Sequence, residues 1–219
     1  MRVSLLAYTE DADRICAAAG KSCYSANSAT SLLEGTDDEQ AERILGKIVG
    51  MGHHSVIEHA SFTFSVEGAS RALTHQLVRH RIASYSQQSQ RYVSLNEPSF
   101  VTPPSIAAEP ALKAKYKDLM EGLWKAYREM AESVPKEDAR YLLPNGSTTN
   151  ITMTMNAREL RHFFSLRCCN RAQWEIREMA DRMLELCKDA SPVIFKDAGA
   201  PCVSGPCPEG ELSCGEPRG

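Results

Sequence analysis

Ser61-Phe62-Thr63-Phe64-Ser65-Val66-Glu67-Gly68-Ala69-Ser70-Arg71-Ala72-Leu73-Thr74-His75-Gln76-Leu77-Val78-Arg79-His80-Arg81 changes its hydrophobic period midway. Phe62, Phe64 and Val66 alternate with Ser61, Thr63 and Ser65, the period of a strand with one buried face. Gly68 punctuates the run. Leu73, Leu77 and Val78 then recur at helical spacing, which predicts a helix over 69–81 that ends on Arg-His-Arg. The C-terminal end of a helix carries partial negative charge, so it stabilises these arginines but does not itself attract an anion. Any anion there must be held by side chains and by amides of the following loop.

Outward from this stretch, Val3 to Tyr8 reads as a first strand, with Thr9 as the cap of a helix reaching toward Cys23 and acids in its first turn. A second helix starts near Asp37, with Ile44, Leu45, Ile48 and Val49 as its stripe, and stops at Gly50 or Gly52. Pro98, Pro103 and Pro104 mark a break. Beyond them 111–132 reads as a long helix whose Leu112, Tyr116, Leu119, Leu123, Trp124 and Tyr127 form a core stripe. Pro144-Asn145-Gly146 is a turn, and Ile151, Met153 and Met155 alternate as another strand. Helices follow over 157–165 and 172–189. Strands toward both ends, separated by long helices without regular alternation, predict an α+β fold: one domain with an antiparallel or mixed sheet flanked by long helices. There is no Gly-x-Gly-x-x-Gly after a strand, which excludes the common dinucleotide fingerprint.

The chain has 219 residues, 42% of them hydrophobic, and a formal net charge of -3. That suffices for a substantial core and argues against a protein that coats nucleic acid nonspecifically. No apolar run approaches the roughly 20 residues that span a bilayer, and Glu10 and Asp11 follow the first apolar stretch too soon for a signal peptide. The expectation is a cytoplasmic protein with no membrane and no nucleic-acid partner. Positive charge is local. Arg79, Arg81 and Arg91 bracket a loop rich in hydroxyls and amides, Ser84 to Gln90, with rings at Tyr85 and Tyr92. Guanidinium groups match phosphate oxygens two at a time and repel one another unless an anion lies between them.

The segment from Arg79 to Tyr92 resembles the signature of flavin-dependent thymidylate synthases, the thymidylate synthase complementing protein family: Arg-His-Arg, seven variable residues and Ser. Gly52 to His59, Met155-Asn156-Ala157-Arg158 and Arg171 to Arg177 are similar to family segments in the same order. The resemblance runs to about Lys196, so residues 1–198 are expected to be the catalytic domain and 199–219 a tail rich in Cys, Gly and Pro.

That resemblance implies reductive methylation of dUMP to dTMP, with methylenetetrahydrofolate as carbon donor, reduced FAD as hydride donor and NADPH as reductant. It implies a homotetramer whose sites combine residues of neighbouring chains. His53, Ser55, Arg79, His80, Arg81, Gln87, Arg167 and Arg171 would contact the flavin, His53 lining its pocket or that of folate. Gln76, Leu77, Val78, Arg79, Gln87, Gln88, Ser89, Gln90, Arg91, Asn150 and Arg177 would contact dUMP. Asn150 stands where some relatives carry an arginine. Arg177 is the expected catalytic residue, a fixed positive charge against developing negative charge on the pyrimidine. Without the resemblance, it would read as a helix arginine paired with Glu178 or Asp181.

Ser89 has no Asp-His partners placed around it, so it is expected to hydrogen-bond dUMP rather than attack it. His54 to His59 fails the zinc-protease spacings, and no metal is expected. Glu58 and His59 read as a buried pair near a subunit contact. Cys168-Cys169 could supply a thiolate that attacks uracil, but adjacent helix cysteines are commonly packing residues. Cys202, Cys207 and Cys214 match no strong metal template, leaving a zinc site and a flexible redox-active tail as alternatives. Two other readings remain: a single-stranded nucleic-acid module using the arginines with Tyr85 and Tyr92, and an interaction protein whose arginines form interchain ion pairs.

Overall fold

The computed structural model describes residues 1–218. In chain order the elements are β1 (Arg2–Tyr8), α1 (Ala12–Ser22), α2 (Ala29–Glu34), α3 (Asp38–Gly50), a 3₁₀ turn (His54–His59), β2 (Ser61–Ser70), α4 (Arg71–Leu77), β3 (Ser84–Gln87), α5 (Pro104–Ala107), α6 (Pro110–Ala131), α7 (Lys136–Ala139), a 3₁₀ turn (Arg140–Leu142), β4 (Thr148–Asn156), α8 (Ala157–Arg167) and α9 (Trp174–Ala190). Two short 3₁₀ turns follow, at Pro201–Val203 and Gly210–Leu212. The fold is α+β, and the four strands form one antiparallel sheet in the order β1-β2-β4-β3.

Contacts group the chain into two compact units, each discontinuous in sequence. One comprises Met1–Arg2, Val66–Arg79 and Ser86–Thr152. Its core is Val66, Leu73, Leu77, Met120, Trp124, Tyr127 and Ile151, with Phe100 edge-on to Tyr116 at 5.7 Å. The other comprises Val3–Ser65, His80–Tyr85 and the chain from Met153 onward. Phe62 and Phe164 each meet Phe195 edge to face there, at 5.3 and 6.0 Å, over a floor of Cys16, Leu45, Ile57, Ile176 and Met183.

Both predicted alternations hold. Phe62, Phe64, Val66, Ile151, Met153 and Met155 are buried, and the intervening residues are not fully buried. Several helices, α3, α4 and α8 among them, begin where a side chain accepts from an orphan amide, each such cap being worth about 1 kcal/mol. Asp37 accepts from Gln40 at 2.8 Å, Ser70 from Leu73 at 3.0 Å and Asn156 from Glu159 at 2.9 Å.

Several expectations are corrected. Because Ser70 caps it and Val78 closes it, α4 is shorter than 69–81, and Arg79-His80-Arg81 lie beyond its end. Thr9 does not cap α1: its Oγ1 accepts from the Ser61 amide at 3.0 Å, and the helix is entered through Asp11 at φ 49°. Leu112 and Leu119 are exposed on α6, whose buried face is Met120, Trp124 and Tyr127. Glu58 and His59 are both exposed, and Glu58 pairs with Arg158 rather than with its neighbour.

Candidate functional site

In the first unit, the expected nucleotide-binding residues surround β3 and the loop after it. Gln87 is half-buried, and its amide donates to Thr74 Oγ1 at 3.0 Å and Thr149 Oγ1 at 3.4 Å, which fixes its carbonyl oxygen outward of that pair. The Gln88 amide donates to the Asn150 carbonyl at 2.9 Å, and Asn150 Oδ1 accepts from the Gly68 amide at 3.3 Å. Asn150 thus acts on backbone. Ser89 closes a tight turn: its Oγ accepts from the Arg91 amide at 3.1 Å and its carbonyl from Val93 at 3.0 Å. Gln88, Ser89 and Gln90 are half-buried. Arg91 grips Glu137 through Nη2 at 2.8 Å and Nε at 2.9 Å. Gln76 is half-buried, Val78 and Arg79 are exposed, and Leu77 is fully buried in the core. With no accessible surface, Leu77 offers this chain packing rather than a ligand contact.

In the second unit, His80 is 6% exposed and is the organising group. Its Nδ1 lies 3.4 Å from Glu159 Oε1, its Nε2 accepts from Arg167 Nε at 3.1 Å, and its ring stands edge-on to Phe163 at 4.9 Å. Tyr85 donates to its carbonyl at 2.8 Å. Burial, then the charges of Arg167 and His162, push the imidazole pKa down to about 4. His80 is therefore neutral at pH 7. The Glu159 carboxyl is pushed upward, by burial foremost. Arg81 is exposed.

Among the clefts of this unit, three are the larger. His53 and Ser55, both exposed, line one of about 990 Å³ with Tyr24, Ile48 and Arg158. A second, about 730 Å³, is lined by His54, Ile82, Glu159, Arg161 and His162. Arg167 and Arg171 line a third of about 670 Å³ together with Cys169, Cys202, Cys207 and Cys214. Arg171 pairs with Glu209. All eight cysteines are free thiols, and among the described residues no group of three or more His, Cys, Asp or Glu is arranged to hold a metal ion. Cys168 is 3% exposed, and burial, reinforced by Asp181, pushes its thiol far above the usual range. It cannot be a ready thiolate.

Arg177 is half-buried on α9, and its Nη1 donates to the Asn170 carbonyl at 2.7 Å. Neither neighbouring carboxylate holds it: Glu178 pairs with Arg182 at 2.6 Å and Asp181 with Arg218 at 2.9 Å. Sequence reasoning passed over Glu159, Thr74, Glu137 and Arg218. Glu159 has a visible signal, the Asn156-Ala157-Arg158-Glu159 spacing of a capping box, but that motif predicts a side chain turned back to the cap. Here it faces His80 instead.

The chain carries guanidinium groups on loops and helix ends of an α+β fold, donors of the kind that anionic organic ligands require. Its family follows from comparison: the profile of thymidylate synthase complementing protein matches residues 4–193, and the chain belongs to that family. It is 50% identical to a flavin-dependent thymidylate synthase from Geobacter sulfurreducens, covering 99% of this chain and 94% of that protein. A flavin-dependent thymidylate synthase from Pyrococcus furiosus is 46% identical over 97% of this chain and 91% of its own length. A UMP/dUMP methylase from Streptomyces cacaoi, solved with 5-bromo-dUMP, shares the fold with a TM-score of 0.81 at 23% identity, over 89% of this chain and 93% of that one. Among the described residues no helix is long and apolar enough to cross a membrane.

Proposed function

We propose that the chain is an FAD-dependent thymidylate synthase that reductively methylates dUMP to dTMP, with methylenetetrahydrofolate as carbon donor and NADPH as reductant. The observation that carries this reading is the state of its arginines. Arg91, Arg158, Arg161 and Arg171 are each neutralised by a carboxylate. Arg79 and Arg81 are exposed, two residues apart, and among the described residues no carboxylate lies within ion-pair distance of either. Arg167 is held by a neutral imidazole, so its charge too remains available. Dinucleotide, nucleotide and folate are all anionic, and such a donor set fits them.

Flavin would be held by His53, Ser55, Arg79, Arg81 and Arg167, with Arg171 joining when Glu209 releases it. His80, having committed both ring nitrogens inside the chain, orients Arg167. When bound, reduced FAD supplies the hydride that turns the transferred methylene into a methyl group. On the nucleotide side, Gln76, Gln87, Gln88 and Gln90 bind and orient dUMP, with Arg91 joining when Glu137 releases it. The Ser89 hydroxyl accepts from the Arg91 amide, which leaves its proton free to donate to phosphate or ribose. Arg177, steadied by the Asn170 carbonyl, stabilises negative charge as the pyrimidine becomes nucleophilic. We read residues 1–198 as the catalytic domain and 199–219 as a tail, and the working form as a cytoplasmic homotetramer with sites shared between neighbouring chains.

The test is dTMP formation followed by mass spectrometry, with protein, dUMP, methylenetetrahydrofolate, FAD and NADPH under anaerobic conditions and a parallel reaction lacking FAD. Flavin-dependent product is expected. No product even with chemically reduced flavin supplied would overturn the reading.

A further inference from the structure

Asp181 lies four residues after Arg177 on α9. Residues at that spacing share a helix face and lie within reach of an ion pair. Arg177 nevertheless ignores Asp181 and donates to the Asn170 carbonyl. The reason is a third residue. Arg218 engages Asp181 with both arms of its fork, Nη1 to Oδ1 at 3.0 Å and Nη2 to Oδ2 at 2.9 Å. Its side chain is only 31% exposed. The same Nη1 also donates to the Cys168 carbonyl, and the Arg218 amide donates to Cys202 Sγ at 3.3 Å. Two residues further along the same loop, Asn170 Nδ2 donates to the Glu216 carbonyl at 2.9 Å. The tail therefore grips the loop that offers Arg177 its acceptor, while occupying the carboxylate that would compete for it. Bidentate arginine-carboxylate pairing is strong and directional, so it holds the Asp181 carboxylate on Arg218.

We propose that Arg218 is a positioning residue for Arg177, sequestering Asp181 so that the Arg177 guanidinium stays on Asn170 and remains available to the substrate. The inference rests on the thymidylate synthase reading for the role of Arg177. Arg218 itself lies beyond residue 193, where the family profile stops matching.

Full-length variants test it. Arg218→Ala frees Asp181 to draw Arg177 aside, and kcat is expected to fall roughly tenfold with the dUMP KM little changed, because misplacement of a transition-state group acts on the chemical step. Adding Asp181→Asn to Arg218→Ala removes the competing charge and is expected to restore most of the lost kcat. Adding Arg218→Ala to Arg177→Ala is expected to cost nothing further, since the strap then has no group to position. A purely structural role predicts the opposite pattern: no recovery with Asp181→Asn and multiplicative losses with Arg177→Ala, and that result would overturn the proposal. Amide exchange of residues 168–173 gives a readout independent of turnover and is expected to quicken in Arg218→Ala. An inactive wild-type protein would sink the functional reading, whereas unchanged exchange would sink the strap.

Discussion

The Nε–H of Arg167 points at Nε2 of His80, 3.1 Å away, so the imidazole is an acceptor on that side and carries its single proton on Nδ1, facing Glu159. An acid-sensitive joint results. The folded pKa of His80, about 4, lies below its ordinary 6.5, so between those values the unfolded chain binds a proton that the folded chain refuses. The stability this group contributes is present above 6.5 and lost as pH falls toward 4. Melting temperature is expected to drop over that window, and the drop should be smaller in His80→Gln. Parallel curves for the two proteins would contradict the assignment.

Replacing Arg177 with alanine removes a fixed charge from the reacting ring. A loss on the order of 100 to 1,000-fold in kcat is expected, with melting temperature close to wild type. Steady-state dTMP formation beside a thermal melt measures both.

Cys168→Ala is expected to keep activity within about twofold, because a thiol buried against Asp181 holds its proton at neutral pH and supplies no nucleophile. Abolition of turnover in a folded Cys168→Ala protein would revive the thiolate route to uracil.

Gly146 lies beneath Tyr116. A Cβ there would come within 2.6 Å of the Tyr116 hydroxyl, which donates to the Val101 carbonyl at 3.0 Å. Gly146→Ala should destabilise by about 1–3 kcal/mol, and Tyr116→Phe on the same background should recover part of that by removing the clashing oxygen. Urea unfolding of the single and double variants tests this directly.

What was legible in the chain and what was not divides along physical lines. The faces of β2 and β4 could be read because half-burial imposes a period of two on Phe62, Phe64, Val66, Ile151, Met153 and Met155. β3 could not, because Ser84 to Gln87 has no apolar alternation and is recruited by pairing alone. Leu112 and Leu119 fit the helical period yet are exposed, since periodicity does not say where the covered part of a stripe ends. At the candidate site, motif spacing singles out Arg79, His80, Arg81 and Arg177 but says nothing of the partners His80 and Arg177 meet. His80 meets Glu159 and Arg167 across a long stretch of chain, and no local pattern encodes a neutral buried imidazole. The hydrogen bonds from the Gln87 amide nitrogen to Thr74 and Thr149 likewise join positions far apart in the chain, and no local pattern announces them.

Asp13, in the first turn of α1, accepts hydrogen bonds from the Ser191 hydroxyl at 2.5 Å and from the Val193 and Ile194 amides at 3.1 Å each. These partners are separated from it by 178 to 181 positions. During synthesis at roughly 5–20 residues per second, α1 leaves the ribosome some ten to forty seconds before the segment that completes its packing. Until then the α1 residues buried in the finished fold, Cys16, Ala17 and Ala18, lack part of their final surroundings, and transiently exposed apolar surface of this kind is what makes a nascent chain prone to aggregate.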